Sequence, residues 1–193
     1  TGNVLLYEIF DEEKRTYVSI EQIPKYLRDA VVATEDANFY NHVGVDLKSI
    51  VRAILTDIKI LKPVYGASTI TQQLIRSTFL SLEKTIDRKT KEIILAIELD
   101  RKYSKEQILE WYLNQIPFGQ NAYGVEEASK LYFGKSVSQI GLAESAVLAA
   151  LIKAPYSLSP YTQDGKQKLL ERKDYVLDRM SKLGFISQKE AEE

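Results

Sequence analysis

Apolar and polar positions alternate differently in two parts of this chain. Residues 4–10 and 15–20 mix apolar with β-favouring side chains around the polar run Asp11, Glu12, Glu13, Lys14, which predicts a short hairpin or an extended arm. After Pro24 the spacing turns helical almost to the end. Asp46 can cap a helix in which Leu47, Ile50, Val51, Ile54, Ile58 and Leu61 recur at helical spacing, ended by Pro63 and Gly66. Thr69 with Gln72 can form a capping box for a helix over 70–80. A further helix is predicted over 85–102. Ser104 and Gln107 form a second capping box, for 105–115, with Pro117 and Gly119 beyond it. The spacing predicts helix over 122–132 up to Gly134, and a helix capped by Ser138 that runs through Ile152 to Pro155. Ala, Leu and Val cover nearly all faces of that last segment, the pattern of a central buried helix. An amphipathic helix over 163–183 and a short charged helical pattern over 187–193 follow. With no repeat, low-complexity tract or long linker, residues 1–193 read as one mainly α domain of about eight helices.

Length and composition narrow the chemistry. A chain of 193 residues, 45% hydrophobic and 27% charged, suits one globular domain and excludes a collagen-like or disordered chain. Its 26 basic and 27 acidic side chains leave a net charge of −1, which argues against a nucleic-acid partner. With no Cys and 1 His, disulfides, thiol nucleophiles and three-His zinc sites are excluded. No apolar run reaches the ~18 residues of a membrane span; the nearest, 140–152, is interrupted by Glu144. The chain opens without a signal-peptide pattern and stops within a helical one, so it is read as a piece of a longer protein.

Four segments carry polar side chains that packing alone does not explain. In the first, over 33–44, Glu35 and Asp36 are adjacent and are followed by His42 and Gly44. Neighbours on a helix point about 100° apart, so only one of the two carboxylates can face a given reacting atom. The other would be a structural acceptor. In the second, over 66–76, a Gly precedes a helix N-terminus dense in hydroxyls and amides, a favourable place for phosphate or sugar hydroxyls. Capping accounts for Thr69 and Gln72 but not for Thr71 and Gln73. In the third, Lys84, Arg88 and Glu92 form a helical stripe with Lys89 beside it. Such cations suit a pyrophosphate; the plain alternative is a solvated face whose ion pairs are worth ~0.3–0.5 kcal/mol each. In the fourth, over 105–114, Ile108, Leu109, Tyr112 and Leu113 are helix-core positions, while Glu110 and Asn114 share a face and orient neighbours.

In this order the segments resemble the peptidoglycan glycosyltransferases of glycosyltransferase family 51, the polymerase domain of class A penicillin-binding proteins and of monofunctional cell-wall glycosyltransferases. The pattern E-D-x-x-F-x-x-H-x-G stands at Glu35, Asp36, Phe39, His42 and Gly44. G-x-S-T-I-T-Q-Q stands at Gly66, Ser68, Thr69, Ile70, Thr71, Gln72 and Gln73, with Ala67 where many members have a second Gly. R-K-x-x-E is Arg88, Lys89 and Glu92, and K-x-x-I-L-E-x-Y-L-N is complete from Lys105 to Asn114. A fifth pattern runs from Tyr132, Phe133, Gly134 and Lys135 through Leu142, Ala143, Glu144, Ser145 and Ala146 to Pro155 and Pro160.

The resemblance implies a lysozyme-like helical fold and an enzyme that joins lipid II units into β-1,4-linked glycan. The reaction is an inverting single displacement that releases polyprenyl pyrophosphate. By carry-over Glu35 is the general base on the acceptor 4-hydroxyl. Arg76, Lys84, Arg88 and Lys89 serve the pyrophosphate, and Glu92 is the second functional carboxylate on the donor side. Asp36, Ser68, Thr69, Gln72 and Gln73 are expected to line the cleft. Phe39, His42, Gly44, Glu110 and Asn114 are expected to be structural or orienting. The sequence requires no cofactor; some members use Mg²⁺ or Mn²⁺, for which Glu35 and Glu92 are the candidate ligands. Implied partners are lipid II, the nascent strand, the outer-leaflet membrane surface, moenomycin-type inhibitors and a transpeptidase domain beyond Glu193. The implied place is the extracytoplasmic face of a bacterial cytoplasmic membrane, with a membrane helix before Thr1. Ile58, Ile60, Leu61, Pro63, Val64 and Tyr65, punctuated by Lys59 and Lys62, fit an interfacial segment or an ordinary helix end equally. The competing enzyme is a lysozyme-like or lytic transglycosylase domain, which would not need the basic stripe; a non-catalytic helical module would not need the carboxylates.

Overall fold

Helices begin in this chain where a side chain can accept the backbone N–H groups that a first turn leaves unpaired. The computed structural model describes residues 14–47, 68–79 and 85–193. Among these lie eight α-helices: α1 Lys25–Glu35, α2 Ile70–Phe79, α3 Ile86–Lys102, α4 Lys105–Gln115, α5 Val125–Phe133, α6 Leu142–Ile152, α7 Gln163–Lys182 and α8 Gln188–Glu192. The Thr69 and Gln72 box forms as its spacing requires, with Thr69 N–H donating to Gln72 Oε1 at 3.0 Å and Gln72 N–H to Thr69 Oγ1 at 3.2 Å. Ser104 and Gln107 do the same for α4, and Thr85 caps α3 by accepting from Arg88 N–H.

Two helices start later than periodicity alone predicts. Residues Ala122–Tyr123 are a strand, β2, paired in parallel with β1, Lys14–Arg15. Gly124 (φ 79°) then turns the chain into α5. A Cβ there would stand 2.7 Å from the carbonyl oxygen of Asn114, so only Gly allows the approach. Before α6, Val137–Gln139 closes a 3-10 turn capped by Ser136, so Ser138 is not the cap. Gly141 is, and its N–H donates to Glu144 at 2.9 Å. Of the stretch predicted over 15–20, Arg15 alone is in a strand among the described residues, and Ile20 already opens the 3-10 turn Ile20–Gln22. Residues 4–10, the helix predicted beyond Leu47, Gly66, Ala67 and Lys84 lie outside the described residues.

α6 is the buried axis. Ala146, Leu148, Ala149, Ala150 and Leu151 have no exposed surface, and α6 packs on α1 and α7. Leu27, Ala30 and Val31 of α1 and Val176 and Met180 of α7 close the core around it. Each wholly buried Leu or Val contributes about 1.5–3 kcal/mol. α2 sits apart from this axis, between α3 and α4. The C-terminal end of α1 and the N-terminal end of α2 are thereby brought together. No helix among the described residues is long and apolar enough to cross a membrane.

The arm is held by α4. Asn114 Oδ1 accepts from Val18 N–H at 2.9 Å, and its Nδ2 donates to Val18 O and to Glu110 O, both at 2.8 Å. Glu110 accepts from Ile20 N–H at 2.6 Å and from the Tyr17 hydroxyl. The i, i+4 pair therefore acts as a two-point bracket on an extended segment. Asn114→Ala should leave both backbone groups of Val18 unpaired, which costs about 1–3 kcal/mol. Thermal unfolding should show a midpoint lower by about 2–4 °C per kcal/mol, with faster amide exchange at Val18.

Candidate active site

α1 ends on Glu35, and the next residue leaves the helix with φ −160°. That turn separates the two adjacent carboxylates. Asp36 is 7% exposed. Its Oδ2 accepts from Ile70 N–H at 3.0 Å and lies 2.9 Å from His42 Nε2. It therefore ties together α1, the first residue of α2 and the 39–42 turn. Glu35 is half-buried, and its Oε2 accepts from Gln73 Nε2 at 3.1 Å.

The loop between these helices is fitted to α3. Gly44 has φ +72°, and a Cβ on it would collide with the Ala96 carbonyl of α3. Its own carbonyl accepts from Thr69 Oγ1 at 2.6 Å. Phe39 is wholly buried, with Lys105 Nζ 4.7 Å above its ring centre. Lys105 is itself paired with Asp100 at 2.8 and 2.9 Å. Motif residues far apart in sequence thus support one another.

Of the side chains expected to line the cleft, Thr69 and Gln72 are buried and engaged in the α2 cap. Ser68 and Gln73 are half-buried. Ser68 stands at a junction. Its Oγ accepts from Lys89 Nζ at 3.2 Å, and its carbonyl lies 3.5 Å from Gln73 Nε2. One residue therefore touches a neighbour of Glu35 on one side and the basic stripe on the other.

The stripe is built on Glu92, whose side chain has no exposed surface. Arg88 Nη1 donates to Glu92 Oε2 at 2.8 Å, and Lys89 Nζ donates to Oε1. A carboxylate taken wholly out of water requires such partners. Two cations share one carboxylate, so the group carries a net positive charge. Lys89, 42% exposed, presents it outward. Lys91 pairs instead with Asp87 at the exposed surface. Both Glu92 oxygens are engaged by cations, and no group of three His, Asp or Glu residues that could hold a metal ion occurs among the described residues. This donor set does not fit a divalent ion held between Glu35 and Glu92.

Tyr112 is the feature that helical periodicity hides. It is wholly buried in α4, among Ile108, Leu109 and Leu113. Its hydroxyl donates to Gln73 Oε1 at 3.0 Å. Burial pushes the phenol well above its ordinary pKa, the Glu35 charge adds to the rise, and Arg76 opposes it. Arg76 is half-buried on α2. A Tyr at a core position needs an acceptor for its O–H, which is the one signal the sequence offered. Glu110 and Asn114 project from another face of α4, toward the arm.

The sequence matches the family described as transglycosylase over residues 2–181. The chain belongs to the transglycosylase family. It is 50% identical over 179 residues to penicillin-binding protein 1F of Bacillus subtilis (strain 168), covering 93% of this chain and 25% of that protein. It is 46% identical over 188 residues to penicillin-binding protein 1A of Aquifex aeolicus (strain VF5), covering 97% and 26%. The crystal structure of penicillin-binding protein 1A from Haemophilus influenzae matches with a TM-score of 0.55 at 26% identity, over 93% of this chain and 17% of that one. This transglycosylase-family chain spans about a quarter of the length of these curated relatives.

In this transglycosylase-family domain Glu92→Ala would strand two cations. The expected loss is about 2–3 kcal/mol, below the ~3–5 of a fully buried pair because Lys89 reaches water. Chemical denaturation should read it as a lower midpoint with an unchanged slope.

Proposed function

We propose that this domain is a peptidoglycan glycosyltransferase that polymerises lipid II, with Glu35 as general base and the Arg88 and Lys89 pair at the donor pyrophosphate. The observation that carries the reading is the junction at Ser68, which places a carboxylate held by a neutral amide next to a fixed pair of cations. An inverting transfer between a sugar hydroxyl and a glycosyl pyrophosphate needs those two environments side by side.

The acceptor 4-hydroxyl attacks the anomeric carbon of the donor, and its proton passes to Glu35. The bond to the polyprenyl pyrophosphate breaks as the new one forms, so an α linkage becomes β without a covalent sugar–enzyme intermediate. A positioned base contributes about 10²–10⁴-fold. Lys89, Arg88 and Arg76 meet the charge that grows on the leaving pyrophosphate, the counterpart of an oxyanion hole. Glu92 acts as a positioning residue that holds Arg88 and Lys89. Asp36, Thr69 and Gln72 support the cleft from within, His42, Phe39 and Gly44 support the loop, and Ser68 is the polar wall open to sugar or phosphate. Because the substrate's lipid stays in the bilayer, the domain works at the extracytoplasmic surface of the membrane. The relatives' names and length support a transpeptidase domain in the parent protein.

Glu35→Gln should reduce lipid II polymerisation by at least about 10²-fold while the thermal midpoint and moenomycin binding stay near wild type. Activity within a few-fold of wild type would remove Glu35 as base. Purified glycan supplied in place of lipid II should remain uncleaved; cleavage would favour a lytic enzyme instead. Lys89→Ala should weaken binding of pyrophosphate-containing ligands most at low salt, because a half-exposed charge is screened as ionic strength rises. A salt-independent affinity loss would oppose that role.

A further inference from the structure

We infer that Tyr112 is a positioning residue for Glu35, acting through the Gln73 side-chain amide. The inference rests on the proposed role of Glu35 and assigns the groups that keep that carboxylate in place.

Glu35 ends a helix, where the macrodipole disfavours a negative charge. It therefore needs a donor, and the nature of the donor decides what the carboxylate can do. An ammonium or guanidinium would neutralise the base. Gln73 offers a neutral N–H, at 3.1 Å from Oε2. One oxygen is thereby fixed without cancelling the charge, and Oε1 is left for a substrate hydroxyl. Asp36, one residue on, has its Oδ2 shared by a backbone N–H and His42 and cannot substitute.

A Gln side chain can present either its oxygen or its nitrogen, and only its neighbours choose. Tyr112 makes the choice. Its hydroxyl has no exposure to water, and the charge of Glu35 together with burial keeps it protonated. It must donate, so the oxygen of the amide faces Tyr112 at 3.0 Å and the nitrogen faces Glu35. The Ser68 carbonyl, 3.5 Å from the same nitrogen, favours the same orientation. Without the phenol O–H, the amide is free to turn its oxygen toward Glu35, where two acceptors would repel. The relay is thus directional: Tyr112 O–H to Gln73 oxygen, Gln73 N–H to Glu35.

The test uses Tyr112→Phe, Gln73→Met and the double variant in the full-length chain, with lipid II as substrate. Tyr112→Phe should lower kcat per folded molecule by about 10–100-fold with KM within about twofold, the pattern of a displaced base rather than lost binding. Gln73→Met should do the same, and the double variant should be no worse than the more affected single one, because both act on one path. The Gln73 side-chain amide signal in ¹⁵N NMR should exchange slowly with solvent in wild type and quickly in Tyr112→Phe. A kcat per folded molecule within about threefold of wild type in either variant, or losses that multiply in the double variant, would overturn the proposal. An amide signal that Tyr112→Phe leaves unchanged would also overturn it. If Tyr112→Phe fails to fold, Gln73→Met decides by the same kcat criterion. If the wild type itself does not polymerise lipid II, the functional reading fails, and the amide signal still decides the relay.

Discussion

Asp36 holds its charge almost out of water, just past the end of α1 where the helix dipole opposes it. The arrangement is stable because Ile70 N–H and His42 converge on Oδ2. From that contact the register of the cleft follows. Glu35 lies one residue before Asp36, and Gln73 lies one helical turn after Ile70. Pinning Asp36 to Ile70 therefore carries Gln73 to Glu35. The same contact gives an unpaired N–H of α2 an acceptor and anchors the 39–42 turn, which continues to the close approach of Gly44 and α3.

Glu35 and Glu92 are held by opposite kinds of donor. Glu35 accepts from a neutral amide that a phenol supports. On the Glu92 side the donors are cations held by a carboxylate with no exposed surface. A neutral donor leaves the charge of the carboxylate it holds uncancelled, whereas two cations on one carboxylate leave a net positive charge. Ser68 lies between the two, with its carbonyl near the Gln73 amide and its hydroxyl on Lys89.

Much of the helical framework was legible because capping acts over three or four residues. Thr69 with Gln72 and Ser104 with Gln107 both cap where their spacing places them. The starts of α5 and α6 were not legible. Ala122 and Tyr123 look helical but pair with Lys14 and Arg15 more than a hundred residues earlier, and Ser138 lies inside a 3-10 turn. Tyr112 was read as packing, since periodicity reports which face is buried and not what a buried hydroxyl meets.

By itself the sequence determined the helical architecture, the order of the motifs and one broad set of polar residues, Glu35, Asp36, Ser68, Thr69, Gln72, Gln73, Arg76, Lys84, Arg88, Lys89 and Glu92. These are properties of local spacing and of residue type. Which of Glu35 and Asp36 bonds to the first N–H of α2, which of Gln72 and Gln73 reaches Glu35, and what the Gln73 amide oxygen meets were decided by tertiary structure alone. Each choice depends on a partner contributed by a different helix: Ile70 for Asp36, Glu35 for Gln73, and Tyr112 for the orientation of the amide. Side chains one residue apart have the same local signal, and only the packing of α1, α2 and α4 makes them different.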